Sequence, residues 1–140
     1  MFEATIDTTA DRERAWAALV DVTDWPRWTR SISELRRLDD GAFGVGSAAR
    51  VKQPGMPALV WRVTELRDRE AFTWEAQLPG VRTVGYHRLT VDPSGRTRIT
   101  VGVRHHGPLS PLVATLTGAR TRRFLRMELA GLKAAAERHA

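Results

Sequence analysis

Apolar and polar residues alternate along most of this chain, and the alternation limits its fold more than any other feature. A period of two residues is typical of a strand with one buried face. The first such segment, 2–7, places Phe2, Ala4 and Ile6 on one side. Further segments of strand character follow, separated by turn residues, at 33–39, 47–53, 59–63, 72–76, 81–91 and 96–106. Strands joined by short turns pair antiparallel, so the sequence predicts an antiparallel sheet of about seven strands.

The last two segments form the strongest hairpin signal, because they flank the turn sequence Asp-Pro-Ser-Gly at 92–95. If Leu89 lies opposite Ile99, every second residue of both strands faces inward. The inward set is then Thr83, Gly85, His87, Leu89, Val91, Ile99, Val101, Val103 and His105. In this register the two inward histidines are four residues apart along the strands, or about 13 Å.

Two short helices are expected between the first strand and the rest of the sheet. Thr8, three residues before Asp11, is expected to cap the first of them. Asp24 is expected to cap the second, over 25–28, where Pro26 occupies the first turn and needs no amide partner.

From Pro108 to the end the chain is expected to be helical, with only Gly118 and Gly131 as weak interruptions. Its apolar stripe changes direction. Leu109, Leu112, Val113 and Leu116 share one side, whereas Phe124, Leu125, Leu129, Leu132, Ala135 and Ala136 lie well over 90° away at helical spacing. We therefore expect a kink or break near Gly118, so that both halves face the sheet.

Composition indicates one domain, 1–140, without covalent or metal cross-links. The chain has 140 residues and no cysteine, which excludes disulfides, a cysteine nucleophile and zinc–thiolate or iron–sulfur sites. Its longest apolar stretch, 15–20, is too short to insert into a membrane, and the early acidic residues do not fit a signal peptide. We expect a cytoplasmic protein, and its arginine-rich, asparagine-free composition suggests a GC-rich bacterial genome.

An antiparallel sheet with one apolar face needs a cover, and the terminal helix is the only large one the sequence offers. The predicted class is α+β, with a curved sheet wrapped on this helix. Such a sheet leaves space at its open end, and pockets of this kind hold small apolar ligands.

Several short motifs also resemble one protein family, in order and over essentially the whole chain. They include Ala-Trp at 15–16, Asp-Trp-Pro-Arg-Trp at 24–28, Gln-Pro-Gly at 53–55, Trp-Arg-Val at 61–63 and Gly-Tyr-His at 85–87. Together they resemble the polyketide cyclase/dehydrase group of the START-related (SRPBCC) superfamily. The resemblance implies a helix-grip fold with a deep hydrophobic cavity between sheet and C-terminal helix. Members of the superfamily cyclise and dehydrate poly-β-keto chains, carry lipids or hormones, or sequester natural products, so the resemblance supplies no catalytic residue.

Four tryptophans are candidates for lining such a cavity. Trp61 and Trp74 face inward on neighbouring strands, and Trp25 and Trp28 lie on the short helix expected to close one end. An indole offers a flat apolar face and one N–H donor, which suits a ringed ligand, although plain core packing is the alternative. Gln53, at a strand end, either orients a polar group of the ligand or faces solvent.

His87 is the one candidate for chemistry. An imidazole among apolar neighbours is either a core residue bonded to a backbone carbonyl, a ligand contact or an acid–base catalyst. No acidic partner is adjacent to His87 in the sequence. The complete set predicted to line the pocket is Trp25, Trp28, Gln53, Trp61, Trp74, His87, Val101, Val103, His105, Leu112 and Leu116.

No metal or cofactor is expected. The two inward histidines are too far apart to share one ion. The glycine-rich segment 41–46 leads into a strand rather than a helix, so it lacks the helix N-terminus that holds a phosphate.

The net charge of +6 leaves nucleic acid as a partner to consider. Arg62, Arg88, Arg98 and Arg104 alternate onto the outer face of the sheet, but Tyr86 is the main aromatic residue there, and stacking of bases needs more. Three hypotheses follow: binding of a small hydrophobic molecule, which we favour; a polyketide cyclase or dehydratase; and an arginine-faced protein for an acidic partner or nucleic acid. Monomer and homodimer both remain open.

Overall fold

A single antiparallel sheet organises the computed structural model, which describes residues 1–138. Its strands are β1 (Phe2–Thr8), β2 (Glu34–Arg37), β3 (Ala48–Lys52), β4 (Leu59–Arg67), β5 (Ala71–Leu78), β6 (Val81–Val91) and β7 (Thr97–His106). They lie in the order β1-β7-β6-β5-β4-β3-β2. The predicted fold class is confirmed: a seven-stranded sheet packs against a long C-terminal helix, with short helices after the first strand.

The predicted register of the last hairpin is also confirmed. Leu89 pairs with Ile99, so His87 lies opposite Val101 and Thr83 opposite His105. The Asp92 carboxylate fixes this turn by accepting hydrogen bonds from three groups, the amides of residues 94 and 96 and the hydroxyl of Ser94. Because this turn sets the pairing, it also decides which side chains point inward.

Helix α1 (Arg12–Val20) and helix α2 (Trp25–Trp28) flank a 3₁₀ turn at Val22–Asp24. The cap predicted for α1 was wrong, whereas Asp24 stands at the predicted N-cap position of α2 without a capping hydrogen bond from its side chain. Asp11 caps α1 by accepting from the amide of Arg14 at 2.8 Å. Thr8 is still part of β1, and its hydroxyl donates a hydrogen bond to Glu137 near the end of the last helix instead. The side chain of Asp24 makes no capping hydrogen bond and pairs with Arg27, two exposed side chains one helical turn apart.

Helix α3 (Ser110–Arg138) runs through Gly118 without the predicted break. The glycines permit close approach instead. A Cβ on Gly118 would lie 3.3 Å from the ring of Phe2, and one on Gly131 would lie 2.0 Å from the carbonyl oxygen of Trp28. The last two residues, His139 and Ala140, were predicted to be helical and lie outside the described residues.

The unbroken helix leaves most of its first apolar stripe facing outward. Leu109, just before α3, and Leu112 and Leu116 on it are 45%, 54% and 74% exposed. Val113, the fourth residue of that stripe, turns towards the sheet with Thr117. A straight helix cannot present two stripes more than 90° apart to one surface. Within residues 1–138, no helix is both long and apolar enough to cross a membrane.

Hydrogen bonds join the C-terminal end of α3 to the C-terminal end of β1. Glu137 accepts hydrogen bonds from the Thr8 hydroxyl at 2.8 Å and from the Thr9 amide at 3.2 Å. Lys133 donates to the same carboxylate from one turn earlier. The hydrogen bond from Lys133, then those from Thr8 and Thr9, lower the pKa of Glu137 to about 2.

Candidate ligand-binding site

A cavity of about 130 Å³ lies between the inner face of the sheet and α3. Its sheet side is formed by inward residues of β3 to β7, and its helix side by one face of α3. The helix contributes Val113, Thr117, Arg120, Thr121, Phe124, Leu125 and Glu128. At the inner end, His87 and Glu128 are buried, whereas Met56, Leu78 and Val113 are partly exposed. The cavity therefore opens beside the β3–β4 and β5–β6 turns and the first turns of α3.

Eight of the eleven residues predicted to line a pocket are brought together here. They are Trp25, Gln53, Trp61, Trp74, His87, Val101, Val103 and His105. Trp28 lies behind Trp25, with ring centroids 5.7 Å apart, and meets α3 at Gly131. Leu112 and Leu116 lie outside the cavity, because the helix does not bend towards the sheet.

Indole rings form much of the cavity wall. Trp74 lies with its ring centroid 5.7 Å from that of Trp61 and 5.4 Å from that of Trp25. Gly85 makes room for this arrangement, since a Cβ there would lie 3.2 Å from the Trp74 ring. The rings are inclined to one another, by 37° for Trp61 and Trp74 and by 64° for Trp25 and Trp74. The result is a broad apolar wall of ring faces and edges, and aromatic surfaces of this kind favour ringed ligands.

His87 is held tightly at the inner end. Its imidazole stacks on Phe72 with centroids 4.2 Å apart and an interplanar angle of 16°. Its Nδ1 lies 3.4 Å from the Phe72 carbonyl oxygen, which can only accept a hydrogen bond. The proton of a neutral His87 therefore belongs on Nδ1, and Nε2 faces the cavity side.

Glu128 is the residue that sequence reasoning missed. Its Oε1 lies 3.2 Å from His87 Nε2, and the two residues are 8% and 4% exposed. The angles of this contact do not meet the requirements of a hydrogen bond. Oε1 therefore has no hydrogen-bond partner among the described residues. With the Nδ1 proton directed at Phe72, a favourable contact requires one further proton, on either the imidazole or the carboxyl. A proton placed between these two atoms would turn the contact into a hydrogen bond.

One signal in the sequence could have found Glu128. It stands within the buried stripe of the last helix, among Phe124, Leu125, Leu129 and Leu132. A glutamate at such a position is rarely buried without a partner. The partner itself, 41 residues earlier on β6, is visible only once the sheet is folded.

A second polar pair lies on the same side of the sheet. The hydroxyl of Thr83 is 2.9 Å from His105 Nδ1, across the β6–β7 pair. Burial is the largest cause that lowers the pKa of His105, which favours its neutral form. His105 Nε2 is buried and has no hydrogen-bond partner among residues 1–138.

The outer face of the sheet differs from the inner one. Arg62, Arg88, Arg98 and Arg104 are exposed there, as predicted from the strand alternation. Tyr86 is only 9% exposed, because it packs on Gly102, bonds to Glu3 and is covered by two of these arginines.

A curved sheet closed over a long helix around an apolar, indole-lined cavity defines a helix-grip protein with an internal cavity. The family model for polyketide cyclase/dehydrase and lipid transport proteins matches residues 1–137, so the chain belongs to that family. No curated protein matches the sequence.

Solved structures share this fold at low sequence identity. The Zhui aromatase/cyclase from a Streptomyces species has a TM-score of 0.73 at 19% identity, over 97% of this chain and 92% of that one. A hypothetical protein from Helicobacter pylori has a TM-score of 0.77 at 15% identity, over 96% and 84% of the two chains. A protein from Thermus thermophilus has a TM-score of 0.74 at 16% identity, over 99% and 98%.

Proposed function

We propose that the protein binds a small, flat, largely apolar molecule in the cavity between the sheet and α3. The observation that carries this proposal is the indole wall formed by Trp25, Trp61 and Trp74, next to a helix face without any exposed acid. A cavity of about 150 Å³ holds benzene in another protein, so a volume of about 130 Å³ suits one ring, with a second ring towards the opening. Family membership supports the same type of ligand.

Titration with 2-naphthol, a two-ring compound, tests the proposal. We expect saturable binding by calorimetry together with a change in tryptophan fluorescence. Trp74→Phe should remove much of that change, whereas Trp28→Phe, outside the cavity, should leave it in place. If calorimetry detects no saturable binding of 2-naphthol or of naphthalene at millimolar concentration, the proposal is wrong.

A second candidate is catalysis of proton transfer in a cyclisation or dehydration, favoured by the buried contact between His87 Nε2 and Glu128 Oε1. Both reactions begin with removal of a proton next to a carbonyl group, and a positioned base typically accelerates such a step by about 10²–10⁴-fold. The similarity to an aromatase/cyclase supports this chemistry for a member of the same fold.

Deuterium exchange into 2-tetralone separates catalysis from binding. In this reaction a base removes a proton beside the ketone, and the resulting enolate takes a deuteron from solvent. We expect the protein to accelerate exchange and His87→Phe to abolish the acceleration while 2-naphthol still binds. Equal rates with and without protein would leave binding as the function.

A further inference from the structure

The pair Thr83–His105 occupies a separate part of the cavity from His87 and Glu128. Thr83 pairs with His105 and His87 with Val101 along the same two strands. The two polar sites are thus four residues apart, or about 13 Å at the usual rise per residue. Gly85 and Val103, which pair midway between them, bring no polar side chain.

Apolar surface fills the interval between these two polar sites. The ring of Trp74 lies against Gly85, and Trp61 lies beside it. A ligand that spans the interval would rest its rings on the indoles. Along β6 and β7 the polar side chains stand at the two ends of this interval, so the polar groups of such a ligand would stand at its two ends.

We propose that Thr83 and His105 form a second recognition site, which binds a hydroxyl or carbonyl group at the outer end of a two-ring ligand. This inference rests on the proposed function and specifies where the ligand carries its polar groups. Within residues 1–138 the buried Nε2 of His105 has no hydrogen-bond partner, and a neutral imidazole can donate or accept there according to its tautomer. Two hydrogen bonds of about 2.8 Å leave about 7–8 Å between the polar atoms of the ligand. That span fits substituents at opposite corners of a naphthalene.

Comparison of 2,6-dihydroxynaphthalene with 2-naphthol tests this site by calorimetry. We expect the wild type to bind the diol about tenfold more tightly, the effect of one added hydrogen bond. His105→Phe and Thr83→Val should remove this preference, so that each variant binds the two compounds with affinities within about twofold of each other. His106→Phe, at the exposed neighbouring position, is the matched control and should keep the preference.

Each outcome decides between the two proposals. Equal binding of both compounds by the wild type, or an unchanged preference in His105→Phe, overturns the second site while the cavity remains a binding site. Binding of neither compound overturns the proposed function itself.

A different feature, on the outer side of α3, leads to a second inference. Leu109, Leu112 and Leu116, here called the leucine row, are exposed beside the opening of the cavity. The helix then carries Arg120, which reaches the cavity and the carbonyl of Gly55, followed by the exposed Arg122, Arg123 and Arg126. None of the four forms an ion pair with another residue of the described part. No acidic residue occurs between Pro108 and Met127.

We infer that this half of α3 docks on the surface of an anionic lipid bilayer. Exposed leucines followed by unpaired arginines are typical of helices that lie in the membrane interface. Protein interfaces, by contrast, rely on tryptophan, tyrosine and arginine more than on leucine. Docking here would place the cavity opening against the bilayer, where an apolar molecule could enter without crossing water.

Vesicle flotation tests the docking surface independently of any ligand. We expect binding to vesicles containing phosphatidylglycerol and weak binding to pure phosphatidylcholine. A Leu112→Ser/Leu116→Ser variant should lose most of this binding, whereas Leu38→Ser, a leucine 47% exposed on another part of the chain, should not. Retained binding by the double variant, or equal binding to both vesicle types, overturns the inference. Binding of soluble polyglutamate but not of vesicles would instead assign the surface to an acidic protein and overturn it too.

Discussion

His87 on β6 and Glu128 on α3 face each other across the inner end of the cavity, with Nε2 and Oε1 3.2 Å apart. Their contact joins the sheet to the helix at a point where both side chains are buried. It also places an imidazole and a carboxyl group on the cavity wall, beside the proposed ligand. Replacing the carboxyl group by an amide of the same shape separates these two roles.

Glu128→Gln should therefore fold and bind 2-naphthol within about twofold of the wild type, because the amide occupies the same space. Exchange of 2-tetralone protons should fall by about a hundredfold, the contribution of a positioned acid or base. Nuclear magnetic resonance of the ketone measures the rate, with Glu34→Gln, an exposed glutamate on β2, as the control. An unchanged rate in Glu128→Gln would remove the carboxyl from the chemistry.

Two threonines on α3 offer a matched test of the cavity. Thr117 faces the cavity and Thr115 is exposed, and each hydroxyl donates to the carbonyl four residues earlier. Thr117→Phe should fill the space and weaken 2-naphthol binding by more than about tenfold, since ring and ligand would compete for one volume. Thr115→Phe should bind as the wild type does in the same calorimetric titration. Equal affinities in the two variants would place the ligand elsewhere.

The two glycines of α3 should respond differently to alanine. In Gly131→Ala the new methyl group would meet the backbone of Trp28, which cannot yield, so we expect a loss of about 2–3 kcal/mol in the free energy of unfolding. In Gly118→Ala it would meet the edge of the Phe2 ring at 3.3 Å and the flexible end of Arg122 at 3.6 Å. A helix gain of about 1 kcal/mol should offset that contact. Urea denaturation of both variants measures the difference, and equal losses would contradict it.

The carboxylate of Glu137 should make stability depend on pH in acid. Its pKa is about 2 in the folded protein, below the ordinary value of 4.5. A lowered pKa means that the stabilisation is present above pH 4.5 and is lost as the pH falls towards 2. Glu137→Gln should therefore be less stable than the wild type at pH 7, and the gap should close between pH 4.5 and 2. Thermal unfolding across this range measures the gap, with Glu34→Gln as the control, and a gap independent of pH would be the contrary result.

Much of the fold could be predicted because its information is local. The turn at 92–95 fixes the pairing of Leu89 with Ile99, and alternation then assigns every inward residue of β6 and β7. The lining residues on strands follow from that register. Most of the pocket residues predicted from strands therefore lie on the cavity wall.

The helical half of the site could not be predicted in the same way. In the sequence, Gly118 and Gly131 resemble helix interruptions. In the fold, they allow the helix to lie close to Phe2 and Trp28. Such contacts depend on where distant elements pack. The same reason explains why Leu112 and Leu116 were placed wrongly in the cavity and why Glu128 was missed.

Because α3 is unbroken, one continuous helix forms the whole helix side of the cavity. Hydrogen bonds attach it to the sheet at both ends. Four cavity-lining residues follow one another along this helix, about one turn apart: Val113, Thr117, Thr121 and Phe124. A substitution at each position would shorten, widen or close a different length of the cavity without altering a single strand pairing. Related chains could therefore acquire different ligands through changes in this one face, and a small library at these four positions would be enough to redirect binding.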